Sequence, residues 1–216
     1  MVSVNIDSFK AVAKIDDRVH KLAQYLFCEK SDTKACFTVI STHHAASFYH
    51  GPHKHWDPKS TGNHTMTICN QAGQEFQTKI VACNPEVDFV IVSSDVPFVT
   101  VAPRLCLPNK SERYILLGYP KPNTGYEALE GIITSVLLDD EGRLRGSRGS
   151  QRGYNGGPMF NYKGELLGIN VADKSSQQCI GLSNRSTLEK PFSEINDAFP
   201  SLSVMVPSCI LASSSF

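Results

Sequence analysis

Apolar residues recur along this chain at every second position, in short runs broken by turn-forming residues. Thr65-Met66-Thr67-Ile68-Cys69 alternates in this way and runs into Gln71-Ala72-Gly73. A period of two is the mark of a strand with one buried face. Phe76 to Ala82 and Val87 to Val92 read as further strands. So do Tyr114 to Gly118, Gly131 to Leu137, Met159-Phe160, Glu165 to Asn170 and Cys179 to Leu182. Near the start, Tyr25 to Cys28, the polar stretch Glu29 to Lys34 and the β-branched and aromatic run Ala35 to Ile40 form a predicted hairpin. Helical spacing is confined to two places. Phe9, Val12, Ile15, Val19, Leu22 and Leu26 step by threes and fours, with Asp7 or Ser8 as the N-cap. Leu188 to Phe199 is the second. Many short strands between turns imply a sandwich or a barrel.

Three prolines between Pro97 and Pro108 mark a connection between two halves. The expected organisation is a helical extension over 1–22, a first β unit over 23–96, a linker over 97–112, a second β unit with a terminal helix over 113–200, and a tail over 201–216. Twenty-one basic side chains balance twenty-one acidic ones, so bulk charge provides no pull toward nucleic acid or an anionic membrane. The seven cysteines stand singly and are odd in number, which argues against a zinc site and a complete disulfide framework. The first seven residues show no basic segment leading into an apolar one, and no run is long and apolar enough to span a bilayer. The expectation is a cytoplasmic or nuclear protein with reduced thiols. With no secretory signal expected, the Asn-x-Ser/Thr triplets at Asn63, Asn109 and Asn184 are expected to be chance matches.

The most specific motif is Gly153-Tyr154-Asn155-Gly156-Gly157-Pro158, followed by a short hairpin and Gly168-Ile169. It resembles the nucleophile loop of trypsin-like serine proteases, Gly-x-Ser-Gly-Gly-Pro, with Asn155 where the serine belongs. Three other segments resemble that family in the same order, its HtrA-like branch in particular. Val39-Ile40-Ser41-Thr42-His43-His44-Ala45 is similar to the segment ending in the catalytic histidine, and its register favours His44 over His43. Asp88-Phe89-Val90-Ile91-Val92 is similar to the segment opening with the catalytic aspartate. Leu116 to Pro120 with Glu130 to Ser135 resembles the start of the second barrel. The order His, Asp, nucleophile is that of the chymotrypsin type.

The resemblance implies an all-β fold of two antiparallel six-stranded barrels with an N-terminal helix and a short C-terminal helix. It places His44 and Asp88 on the first barrel and Asn155 on the second. The amides of Gly153 and Asn155 would form the oxyanion hole. Gly149, six before the nucleophile position, would leave the specificity pocket uncharged, and Asn170-Val171-Ala172 would be the strand that pairs with substrate. The resemblance implies no cofactor and no metal, and a peptide or protein segment as partner in the cleft between barrels. An asparagine offers no hydroxyl to deprotonate, so the implied activity divides. Either the chain is a peptidase homologue without catalysis, a binding or regulatory module, or it is an endopeptidase whose serine is altered in this chain. Ser147 and Ser150 precede the turn that aims a nucleophile and make poor substitutes. His50, His53, His55 and His64 have a spacing compatible with a transition metal, but the expected reading is a solvated insertion after the histidine segment.

Overall fold

The computed structural model describes residues 17–31, 34–57, 64–120, 125–140, 142–148, 152–173 and 203–207. Strands in this set close into two antiparallel barrels of six. The first contains β1 (Leu26–Glu29), β2 (Cys36–Val39), β3 (His44–Ser47), β4 (Thr65–Cys69), β5 (Glu75–Asn84) and β6 (Phe89–Ser93). The second contains β7 (Arg113–Gly118), β8 (Glu127–Ser135), β9 (Leu144–Gly146), β10 (Pro158–Asn161), β11 (Leu166–Asp173) and β12 (Ser203–Pro207).

Alternation becomes geometry most clearly in β5. Phe76, Thr78 and Ile80 are buried, while Glu75, Gln77 and Lys79 face solvent. Phe76 meets Phe27 and Phe98 in a trio of edge-on rings with centroids 5.3 to 5.5 Å apart. Such pairs add a directional term to the burial of ring area. The predicted hairpin forms with Leu26 opposite Thr38 and Cys28 opposite Cys36, and β4 closes the barrel by pairing Cys28 with Cys69. In the second barrel Tyr114, Leu116, Ile133, Leu144, Tyr154, Met159 and Leu167 pack together. Barrel closure there runs through β10 and β7, with Met159 opposite Leu116.

Several expectations need amendment. The predicted helix from Ser8 to Phe27 is helical over 17–22 among the described residues, followed by a 3-10 turn, Ala23–Tyr25, and then by β1. Sheet pairing with β2 captures the apolar residues from Leu26 onward. Of the predicted tail, the described residues 203–207 are not separate from the second barrel, because they form β12, which lies between β11 and β9 and completes the ring. The linker has no strand of its own, yet it is anchored at both ends. Phe98 N–H donates to Thr42 O at 2.8 Å, and Cys106 N–H to Leu166 O at 3.0 Å. Leu188 to Phe199 and Cys179 to Leu182 lie outside the described residues.

The two barrels meet along β2 and the loop before β10. Cys36 N–H donates to Asn155 O at 3.2 Å, Cys36 Sγ to Gly153 O at 3.1 Å, and Thr38 Oγ1 to Gly156 O at 2.7 Å. Gln71 and Tyr119 add a side-chain bond across the interface. The Asn155 loop is thereby tied to a strand of the opposite barrel at three points.

Candidate active site

Strand β3 ends at Ser47, and the chain continues through Phe48 and Tyr49 to His50. His50 stands immediately before a 3-10 turn, Gly51–His53, where Gly51 takes φ 70° and Pro52 helps set the turn. The start of β6 approaches from the other side. Asn84 Oδ1 accepts the N–H groups of Glu86 and Val87 at 2.9 and 3.0 Å, a side-chain turn that reverses the chain after β5. The turn leaves Asp88 in the left-handed region, φ 70°, a conformation aspartate tolerates better than most residues.

Asp88 is buried, and its carboxylate collects three donors. Oδ1 accepts Tyr49 N–H at 3.0 Å and His50 N–H at 2.8 Å, and Oδ2 lies 2.7 Å from His50 Nδ1. A carboxylate in this role only accepts, so Nδ1 of His50 carries the proton and Nε2 is left as an acceptor. Asn155 answers it, with Nδ2 3.2 Å from His50 Nε2. Asn170 Nδ2 donates in turn to Asn155 Oδ1 at 3.2 Å, which fixes the orientation of the carboxamide. The result is a continuous chain of polar contacts, Asp88 to His50 to Asn155 to Asn170, running from one barrel to the other.

The loop that presents Asn155 depends on its glycines. Gly153 and Gly156 both have positive φ, 99° and 82°. A Cβ on Gly153 would strike the Tyr119 carbonyl, and one on Gly156 the Cys36 carbonyl. Gly156 N–H is bound to Asn170 O at 2.6 Å and Gly157 N–H to Tyr154 O at 3.0 Å. The Tyr154 ring, wholly buried, packs against Gly118, where a Cβ would come within 2.5 Å of it.

A histidine held by a buried aspartate on one barrel, facing a Gly-x-x-Gly-Gly-Pro loop on the other, is the catalytic layout of one family. The family model described as a trypsin-like peptidase domain matches residues 27–169, more than half of the chain. The chain belongs to the trypsin-like peptidase family. No curated protein sequence matches it. Solved structures with the same fold include the serine endoprotease from Yersinia pestis, with TM-score 0.64 and 16% identity over 98% of this chain and 65% of that one. The chain therefore spans about two thirds of that endoprotease. The MamO protease domain from Magnetospirillum magneticum aligns with TM-score 0.62 and 13% identity, over 92% of this chain and 99% of that one. The Rv3671c protease, in an inactive form, aligns with TM-score 0.62 and 14% identity, over 90% and 89% of the two chains.

Within this trypsin-like frame the expected histidine is corrected. His44 opens β3 opposite Ser93, at the far end of β6 from Asp88. Five residues of strand separate Asp88 from that position, roughly 16 Å. The His44 ring instead meets Ser41 Oγ at 2.8 Å, and burial together with neighbouring His43 lowers its pKa. His50 takes the place beside Asp88 because antiparallel pairing of β3 with β6 brings the residues after Ser47 to the start of β6. Asp88 comes from the first barrel and the loop with Gly153 and Asn155 from the second, and His50 links Asp88 to Asn155. Gly149 and Ser150 lie outside the described residues. Ser147 is engaged within the second barrel, its Oγ accepting Ile132 N–H at 2.9 Å.

Asn170 contributes more than a pairing edge, since its side chain orients Asn155. One edge of β11 is already taken by β12, which pairs with Asn170 and Ala172 around a bulge at Val171. The other edge bonds the Gly156-Gly157 turn through Asn170. Beyond Asn170 that second edge has no strand partner among the described residues. His53 is part of the core. Its Nδ1 donates to Phe48 O at 2.6 Å and its ring stacks on Trp56 with centroids 4.4 Å apart. Among the described residues no three metal-ligating side chains converge, and no helix is long and apolar enough to cross a membrane.

Proposed function

We propose that this trypsin-like peptidase homologue binds a peptide or protein segment in the cleft between its barrels and does not cut it. The observation that carries this reading is the carboxamide of Asn155, 3.2 Å from the nitrogen of His50 that would otherwise take a serine proton. Amide nitrogen has its lone pair delocalised into the carbonyl, and amide oxygen is a weak nucleophile, so His50 has nothing useful to activate. The rest of the apparatus supports retention of the cleft. Asp88 still sets the tautomer of His50, and the glycines that shape the loop remain.

That same His50–Asp88 pair favours a second reading, an endopeptidase whose serine is altered to asparagine in this chain. One pair of experiments separates the two. The chain as it stands is expected to resist a fluorophosphonate probe, and stoichiometric labelling of it would end the binding reading. Asn155→Ser is then assayed for labelling and for cleavage of casein. Turnover of casein would favour the altered peptidase, and a variant that labels without cutting casein, or that stays inert, would favour the binding module, because a restored hydroxyl beside the His50–Asp88 pair can be activated even where the cleft does not present a substrate for cleavage.

A further inference from the structure

We propose that the cleft at Gly153, Asn155 and His50 receives the free C-terminal carboxylate of a peptide in preference to an internal peptide bond. This rests on the reading of the site as one that binds peptides without cutting them, and it names the end of the peptide that is recognised.

The site has many donors and few acceptors. The N–H groups of Gly153, Tyr154 and Asn155 donate to nothing among the described residues, whereas those of the next two, Gly156 and Gly157, are both engaged. Asn155 Nδ2 has two hydrogens and uses one on His50. Arg152, exposed and next to this run of amides, has no acidic partner among the described residues. The acid in the site, Asp88, keeps only 10% of its side chain exposed and already accepts three N–H donors.

An internal peptide bond fits this inventory poorly. It supplies one acceptor oxygen together with an N–H that needs an acceptor. A carboxylate has two oxygens, several lone pairs, a negative charge and no donor. One oxygen can take the Gly153 and Asn155 amides, while the other takes the spare Asn155 Nδ2 hydrogen. Charge-assisted bonds of this kind are stronger than neutral ones, and the Arg152 cation adds a favourable field. The carboxamide also extends one bond farther from its Cβ than a serine hydroxyl would, into space that a chain continuing past the cleft would have to use.

The test uses the whole chain and two pools of N-acetylated random octapeptides, one with free carboxyl ends and one amidated. Binding is followed by the amide NMR shifts of Gly153 and Asn155. The acid pool is expected to half-saturate at a concentration at least tenfold lower than the amide pool. Asn155→Asp and Arg152→Glu should each reduce that preference, the first to nothing. Equal binding of both pools, or a preference unmoved by Asn155→Asp, would overturn the carboxylate inference and leave peptide binding intact. Binding of neither pool would overturn both.

Discussion

His50 and Asn155 face each other across the barrel interface, Nε2 to Nδ2 at 3.2 Å, in the positions where this fold sets its base against its nucleophile. On the binding reading proposed above, this hydrogen bond takes the place of a base–nucleophile contact. Shortening the side chain and giving it a hydroxyl changes that. In Asn155→Ser, fluorophosphonate labelling is expected to appear, and it should vanish when His50→Ala is added. His44→Ala in the same background should leave labelling nearly unchanged, since His44 bonds to Ser41 at the other end of the strand. Labelling that survives loss of His50 and is lost with His44 would reverse the assignment. Loss of a triad base costs on the order of 10⁴-fold or more in turnover, so the two variants differ visibly.

Asp88 predicts a stability effect as well as a positioning one. Asp88→Ala strands His50 N–H and His50 Nδ1, leaves Tyr49 N–H with only its 3.3 Å bond to the carbonyl of residue 88, and keeps a left-handed φ that alanine disfavours. Hydrogen bonds to a charged group are worth about 1.5–3 kcal/mol each, not additively, so a loss of roughly 3 kcal/mol is expected in urea unfolding. Asp88→Asn preserves shape and tolerates φ 70°, so it should cost less than half as much. Equal losses for the two would mean that charge and donors matter little at this position.

Much of this was legible in the sequence, and the exceptions have physical causes. Alternation alone located β4 and β5, because one face of each is wet. The Gly-Gly-Pro turn located Asn155, since only glycine satisfies the φ and close-approach demands at 153 and 156. His50 is not legible, because the segment Val39 to Ala45 resembles one that ends at its histidine, whereas β3 begins at His44. Ala45 and Ala46 are core residues of β3, too small to announce a strand. The available signal was register: if Ser47 pairs with Val90, the residues just after Ser47 must reach Asp88. Strand β9 has only three residues and carries no periodicity. β12 belongs to the second barrel through pairing with strands distant in sequence, which the local composition of the tail cannot reveal.

Acid should destabilise the protein through His53. The ring is fully buried against Trp56, Phe48 and Phe37, and that desolvation holds its pKa below the ordinary 6.5. The unfolded chain then binds a proton near pH 6.5 that the folded chain refuses until lower pH. Stability therefore rises with pH across that interval and is lost as pH falls through it. His44, whose pKa is also lowered by burial, acts in the same direction. Urea midpoints measured from pH 7.5 down to pH 5 should decline, and His53→Gln should flatten the decline while lowering the midpoint at pH 7.5. A slope unchanged by that substitution would remove His53 as its cause.

Gly156→Ala should separate effects at the interface from effects at the site. The new methyl would press into the Cys36 carbonyl and approach Ser47 Oγ at 2.6 Å, in a backbone conformation, φ 82°, that alanine resists. Cys36 is rigidly placed within β2, and its N–H holds Asn155 O at 3.2 Å from the same strand. Relief must therefore come from displacement of the loop, with loss of the Thr38 Oγ1 bond to Gly156 O. Alanine at a positive-φ position costs about 1 kcal/mol from the backbone alone, and overpacking adds about 1–3 kcal/mol. The total expected is roughly 2–4 kcal/mol, read as a lowered Tm. Cys36 reports on the same displacement. Its thiol, pushed up to about 12 by burial, should resist iodoacetamide in the native protein and become reactive once the loop lifts from β2. A destabilised Gly156→Ala variant whose Cys36 stays unreactive would place the strain elsewhere than at the seam between the barrels.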